Sequence, residues 1–305
     1  HGSKVKLSDN FQAEFFNVDH TIPDALGFTL DTPVGKMVNL GDFRLKTNKE
    51  GQPIELDVYK EIGKQGVHSV FLDSTNALRE GFSFSEMTVE DNLEKLVAGA
   101  KGRVIVATFA SLLTRVFEII RIAEKYGRKV ATNGRSMRDN LLIARQLGYF
   151  KPKSDVIIQP EEINKYKDEK IMILTTGALG EPNAGLMRIV NDEHRLISLK
   201  PSDTVIFSSS VIPGNERSVQ ALQDNIARKV DEVYNTKLLD IHSSGHAHRE
   251  DLKLVMELTK PKFVVPIHAY YFMRKSLVKT AKEVGISSDR VMLMDNGQVA
   301  ELTKD

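Results

Sequence analysis

Cysteine is missing from the 305-residue sequence, and that one absence removes disulfides, thiolate zinc sites and a cysteine nucleophile together. It also fits a reducing compartment. No run of about 18 apolar residues and no signal-peptide pattern occurs, so no membrane-spanning helix is expected and the cytoplasm is the default location. An excess of charge of either sign is missing too: 42 Lys and Arg face 41 Asp and Glu, a formal net charge of +1. No global basic field therefore announces nucleic acid, and an acidic ligand must be met by a local arrangement of Arg, Lys, His or backbone N–H groups. Low-complexity tracts are absent. What is present, 41% hydrophobic and 27% charged residues, suffices for one large or two ordinary cores. The opening HGSKVK lacks Met and reads like the remnant of an engineered terminus, so the chain is expected to start inside a longer sequence.

The first segment reads as β-structure. LGFTLDT and KMVNLGDF alternate apolar and polar residues around a TPVG turn, as a hairpin does, and they deliver Asp42 just after a strand. A helical stretch around ELDVYKEIGKQG follows, and then HSVFLD, a short apolar and β-branched run ending at Asp73. Two carboxylates thus sit at strand ends.

From about residue 100 the pattern becomes a repeat in which an apolar strand runs into a small or hydroxylated loop that opens a helix. RVIVATFAS, RKVATNGRS, KIMILTTGALGEP and DTVIFSSSVIPGNE each lead into an amphipathic stretch. This alternation predicts a doubly wound parallel α/β sheet with its loops at the carboxyl ends of the strands, where open α/β sheets bind ligands. Ser111 is placed to cap the helix that closes at Gly127; a phosphate there would meet free N–H groups, although capping alone is the commoner role. The final third returns to the style of the first: a short helix REDLKLVMELTK, an apolar strand KFVVPIHAYY ending at His268, a helix FMRKSLVKTAKEVG and a last strand RVMLMDNGQVAEL. Similar pieces at both ends with a self-contained unit between them predict one domain inserted into another.

DIHSSGHAHRED puts His242, His246 and His248, three of the eight histidines, into seven residues, which suits a metal site, an acid–base device or a polar loop equally. His20 in VDHTIPD, Asp42 in LGDF and His268 in VPIHAY each follow an apolar strand, and histidine with carboxylate is the ligand set of a hydrolytic zinc site. Their separations carry no motif-level specificity. On spacing alone, a core histidine and a turn aspartate are the better reading.

HTIPD, GDF, DSTNA, ATFAS, GRSM, TTGALGEP, SSSVIPGNE, HSSGHA and PIH occur in an order that resembles the ribonuclease J family, bacterial metallo-β-lactamase-superfamily proteins with a β-CASP insertion, and the likeness runs from about Leu7 to Lys304. The resemblance implies part of a metallo-β-lactamase αββα sandwich interrupted by a doubly wound parallel α/β β-CASP domain. Residues 1–85 and 241–305 would be the two sandwich parts and 86–240 the insertion. It implies a zinc-dependent ribonuclease, exonuclease or endonuclease, acting on single-stranded RNA, with two zinc ions in the complete enzyme and a homo-oligomeric parent. Asp42 would bridge the ions, with His20 on one and His268 on the other. Asp73 and His246 match the acid–base pair of the β-CASP motifs, and Ser111, His242, Ser244 and His246 the phosphate pocket, with Arg135 a further RNA contact. His248 has no counterpart role and is expected on a solvated helix.

The sequence also departs from that family. The H-x-H-x-D-H run that supplies the other zinc ligands is not among the 305 residues, which leaves two protein ligands for each ion against three or four. Ala269 and Tyr270 stand where the family commonly has Gly-Glu, Thr114 where a histidine often precedes the arginine, and Ala178 where a serine is usual. The chain alone is therefore expected to be an inactive fragment whose missing segment lies on another chain or was removed. The alternative is a metal-free RNA- or phosphate-binding remnant that acts through a partner chain.

Overall fold

In the computed structural model, which describes residues 2–153, 155–212 and 214–304, the chain begins as an antiparallel meander of β1 (Lys4–Lys6), β2 (Gln12–Asn17), β3 (Leu26–Thr32) and β4 (Gly35–Asn39). The TPVG sequence makes the expected hairpin. Thr32 Oγ1 donates to the Gly35 carbonyl at 2.7 Å, and Gly35 has φ 138°, a conformation that side chains disfavour. Helix α1 (Asp57–Lys64) then leads to β5 (Val67–Asp73), which pairs parallel with β4. After the inserted unit come α7 (Arg249–Thr259), β12 (Phe263–Ile267), which pairs parallel with β5, and α8 (Tyr271–Glu283). The result is one six-stranded sheet in the order β1-β2-β3-β4-β5-β12.

Helices α1, α7 and α8 cover one face of this sheet. Val38, Val70, Leu72 and Val264 point into a core shared with Tyr59, Ile62, Leu252, Val255, Met256 and Leu277; each large apolar side chain buried there contributes about 1.5–3 kcal/mol. Gly63 lets α1 and α7 touch, since a Cβ on it would lie 2.0 Å from the Leu258 carbonyl oxygen. The alternate positions, Phe28, Leu30, Met37, Phe71, Phe263 and Ile267, lie on the other face, half-buried and outside that core.

The second compact unit takes up residues 21–23 and 86–243, and the first takes the rest. It contains α2 (Glu86–Gly99), β6 (Val104–Ala107), α3 (Leu113–Lys125), β7 (Lys129–Asn133), α4 (Arg135–Gln146), β8 (Ile157–Ile158), β9 (Ile171–Thr175), α5 (Gly185–Val190), β10 (Thr204–Phe207), α6 (Glu216–Ala227) and β11 (Glu232–Tyr234). Its sheet, in the order β11-β10-β6-β9-β7-β8, is parallel throughout. Helices α2, α3 and α4 pack with Val104 and Val106 on one face, and α5 and α6 with Ile105 and Ala107 on the other. The doubly wound sheet expected from the strand–loop–helix repeat is the one observed, and the continuous apolar runs are explained by burial on both faces.

Three local expectations are corrected. RVMLMDNGQVAEL forms no strand among the described residues: Val291 bridges Val264 and the Met292 N–H reaches the Val264 carbonyl at 2.8 Å. The Arg274 guanidinium then takes the Met294 carbonyl, and a turn follows at Asp295–Gln298. Ser111 does not cap α3. Leu112 holds that position without a side-chain bond, and Ser111 is exposed one residue earlier. His248 is not solvated: it is the buried N-cap residue of α7, at 4% exposure, and burial pushes its imidazole down to about 4. Its N–H donates at 2.8 Å to Asp251, an acidic residue in the first turn, where negative charge suits the helix dipole.

Candidate metal centre

Three neighbouring parallel strands of the first unit, β4, β5 and β12, end at one edge of the sheet. Asp42 follows β4, Asp73 is the last residue of β5, and His268 follows β12, whose Ile267 pairs with Asp73. Side chains leaving the carboxyl ends of adjacent parallel strands converge, which is why ligands bind there. His20 comes from the segment after β2, where Asp19 bridges Arg44, and His246 from the loop before α7.

Asp42 lies between two imidazoles. Its Oδ2 is 3.9 Å from His20 Nε2 and its Oδ1 3.7 Å from His268 Nε2. Both gaps are too long for a hydrogen bond. Both suit two donors that each stand about 2 Å from a shared cation. The far sides of the rings are already committed: His20 Nδ1 donates to the Gly245 carbonyl at 2.7 Å, and His268 Nδ1 lies 2.9 Å from the Thr75 hydroxyl, which itself donates to Asp73 Oδ1 at 2.6 Å. With Nδ1 carrying the proton in each ring, the Nε2 lone pairs face Asp42, the arrangement found in histidines that bind metals. His268 is held with φ 53°, a strained conformation for a side-chain-bearing residue. Burial lowers the His20 pKa, against the opposing pull of the Gly245 carbonyl, and so favours the neutral ring a metal requires.

Asp73 and His246 form a pair beside this arrangement. Nδ1 of His246 donates to Asp73 Oδ2 at 2.6 Å. Desolvation works against charge on both partners, yet the bond and the opposite charge prevail: the His246 pKa is raised and the Asp73 pKa lowered, helped by two hydrogen bonds from Thr75. The ring of His246 stacks on His268 with centroids 5.5 Å apart and meets His20 edge-on at 5.2 Å.

The donor set fits a divalent metal in kind and direction. Single atoms of Asp42, Asp73, His246 and His268 all lie within 4.8 Å of one another. Asp73, fully buried, has both oxygens engaged by His246 and Thr75, which leaves Asp42 with His20 and His268 around it as donors and the Nε2 of His246 beside them. Each side of Asp42 receives two donors from this chain.

Residues not anticipated from sequence hold the site in shape. Arg44, two residues beyond Asp42 and 4% exposed, donates to Asp19 Oδ2 at 2.7 Å and to the Ser244 carbonyl at 3.1 Å, so one guanidinium braces the neighbours of His20 and of His246. Asn76 donates to Ser244 Oγ at 2.9 Å and to the His246 carbonyl at 3.1 Å. Their signal in the sequence was position alone, two or three residues after a strand-end carboxylate.

Ser244 and His246 belong to the first unit; Ser111, Arg135 and His242 belong to the second. There Ser111 follows β6 and is exposed, Arg135 opens α4 and is exposed, and half-buried His242 meets Phe109 edge-on at 6.4 Å. The fully buried Arg115 donates to Ser208 Oγ at 2.9 Å and to the Ile241 carbonyl at 3.0 Å, which fixes the backbone beside His242. Within SSSVIPGNE, Pro213 lies outside the described residues.

Comparison with known proteins gives concordant results. Residues 101–226 match the family model of the ribonuclease J β-CASP domain, and residues 234–290 that of the Zn-dependent metallo-hydrolase RNA specificity domain. The chain is 38% identical over 296 residues to ribonuclease J 1 of Streptococcus pyogenes, covering 97% of this chain and 53% of that protein. It is 38% identical to ribonuclease J of Mycoplasma pneumoniae, covering 96% and 52%, and 39% identical to that of Helicobacter pylori, covering 96% and 42%. The chain thus spans about half the length of the curated relatives it matches. A crystal structure of an Enterococcus faecalis protein of unknown function superposes with a TM-score of 0.65 at 16% identity, over 97% of this chain and 65% of that one, a likeness of fold.

Proposed function

Because the chain belongs to the ribonuclease J family of β-CASP metallo-hydrolases, we propose that it carries part of the centre of a zinc-dependent ribonuclease that hydrolyses RNA phosphodiesters, exonucleolytically, endonucleolytically or both, in the cytoplasm. The observation that supports this most directly is Asp42, with one oxygen toward His20 Nε2 and the other toward His268 Nε2. His20, Asp42 and His268 would hold a pair of zinc ions together with ligands from outside these residues. When bound, such a pair supplies Lewis-acid activation of water and offsets the charge that develops on the phosphoryl oxygens.

The chain's own residues do the rest. His246, its Nδ1 proton shared with Asp73, keeps a cationic ring within reach of neutral pH and hands a proton from Nε2 to the leaving oxygen. Ser244 would donate to the adjacent phosphate, and Ser111, His242 and Arg135 are read as phosphate and RNA contacts of the second unit. The inserted domain is read as residues 86–240, within the second compact unit, which runs over 86–243 together with 21–23. A second reading, a metal-free RNA-binding piece that works through a partner, is favoured by the two donors on each side of Asp42.

The test is Asp42→Ala in the longer protein. It should abolish bound zinc and cleavage of 5′-monophosphorylated RNA while the melting transition stays in place, because a half-exposed residue at a strand end is not a packing residue. Retained zinc with a collapsed transition would refute the assignment.

A further inference from the structure

Immediately after His268 the chain exposes three consecutive aromatic side chains. Tyr270, Tyr271 and Phe272 are 67%, 51% and 58% exposed, although rings of this size usually bury much of their area. Helix α8 explains how they come to be outside. Leu277, Thr280 and Ala281 fasten its inner face, and the first turn, with Tyr270 at the N-cap, projects away. The rings are ordered relative to one another. Tyr270 and Phe272 stand nearly parallel, 9° apart with centroids 6.2 Å apart. The Arg274 guanidinium sits 5.7 Å from the Tyr271 centroid and is itself fixed by the Ala269 carbonyl at 3.1 Å, the Met294 carbonyl and Asp295 at 2.7 Å. A cation immobilised over one face of Tyr271 holds the ring in place.

We propose that Tyr270, Tyr271 and Phe272 form a stacking platform for the bases of a single RNA strand whose phosphate lies at the His268 site. The inference rests on reading that site as an RNA centre. Tyr270 is two residues from His268, so their Cα atoms are at most about 7 Å apart, and a base stacked there belongs to a nucleotide next to the one being cut. Planar rings suit planar bases of any sequence, whereas a protein partner would be met as well by aliphatic side chains, and none lies in this run. Lys275, exposed on the same turn, adds positive charge for the backbone. Two contacts of about 3.5 Å make about 7 Å, so Tyr270 and Phe272 need to part by about 1 Å to accept a base between them.

The sequence has no tryptophan, so Tyr270→Trp introduces a single indole whose emission can be followed alone. The full 305-residue chain, in metal-free buffer, is titrated with an oligoadenylate and with an abasic sugar–phosphate strand of equal length. The oligoadenylate should bind at least tenfold more tightly and quench the emission of that indole, and the abasic strand should do neither. Tyr270→Ala with Phe272→Ala should remove that preference and Tyr270→Phe should retain it. Equal affinity for both strands, or a preference untouched by the double alanine variant, overturns the platform while the RNA reading stands. Failure of the wild-type chain to bind either strand overturns the RNA reading and the platform together. Reduced self-association of the double variant with unchanged oligoadenylate binding reassigns the rings to a protein contact and overturns the proposal.

Discussion

His246 Nδ1 and Asp73 Oδ2, 173 residues apart in sequence, meet at 2.6 Å. The carboxylate is fully buried and the imidazole is not, so the pair has one end locked in the sheet and one end turned outward. Thr75 saturates the other carboxylate oxygen. The Nε2 of His246 is thereby aimed by contacts to a buried carboxylate.

Asp73→Asn keeps the shape of that contact and removes its charge. In the longer protein the expected outcome is a fall in the RNA cleavage rate of about 10²–10⁴-fold, the usual scale for loss of a positioned proton donor, with bound zinc unchanged. Single-turnover kinetics with parallel metal analysis measures both. An unchanged rate would show that His246 acts without its carboxylate, or does not act.

Arg44→Met separates bracing from chemistry. It removes the bonds to Asp19 and to the Ser244 carbonyl and leaves a partly exposed carboxylate without its partner, at a cost of about 2 kcal/mol, below the range for fully buried pairs. Hydrogen exchange in residues 244–248 should accelerate, and Arg44→Lys should recover only part of the loss, since one ammonium lacks the planar fork that spans both acceptors. Exchange identical to wild type would mean that Asn76, His20 and Asp73 hold the loop without help from Arg44.

Glu118 gives the second unit a pH dependence. Burial, only partly countered by Arg115, pushes its carboxyl up to about 7. A folded pKa raised above the unfolded value of 4.5 means that the folded state binds the proton more tightly, so this stability is present at pH 4.5 and lost as pH rises through 7. The loss is at most about 3 kcal/mol. Glu118→Gln should therefore raise the melting temperature at pH 8 by several degrees and leave it nearly unchanged at pH 5. An equal effect at both pH values would assign the residue to packing.

The doubly wound sheet was legible because both of its faces are buried: its central strands β6, β9 and β10 are apolar runs, each with a helix signal after it, as in VIVA before α3. Asp42, Asp73 and His268 were legible as strand-end residues, but their convergence depends on which strands are neighbours. That neighbourhood, β4-β5-β12, joins segments from opposite ends of the chain and follows no local rule. His248 was misread because a polar residue among polar neighbours looks solvated, whereas the N-cap of a packed helix is buried with it. The last strand failed for a different reason. Its apolar run VMLM is genuine, but Arg274 claims a carbonyl that a strand partner would need.

Two donors on each side of Asp42 are fewer than zinc requires, so the 305-residue chain alone is expected to cleave no 5′-monophosphorylated RNA in the presence of zinc. The shortfall extends to stability. The first unit has a core on one face of its sheet, while Phe28, Leu30, Met37 and Phe71 on the other face belong to no core among the described residues. The second unit has a core on each face. Exposed apolar sheet surface favours association, and a sheet packed on one side opens more readily than one packed on both. Hydrogen exchange should accordingly show a protected block over residues 86–240 and weaker protection on either side. Leu30→Lys with Phe71→Lys should raise the monomer fraction in sedimentation without lowering the melting temperature of the protected block. Zinc-dependent cleavage by the purified chain, abolished by Asp42→Ala, would overturn the expectation and mean that residues such as His246 complete the ligand set.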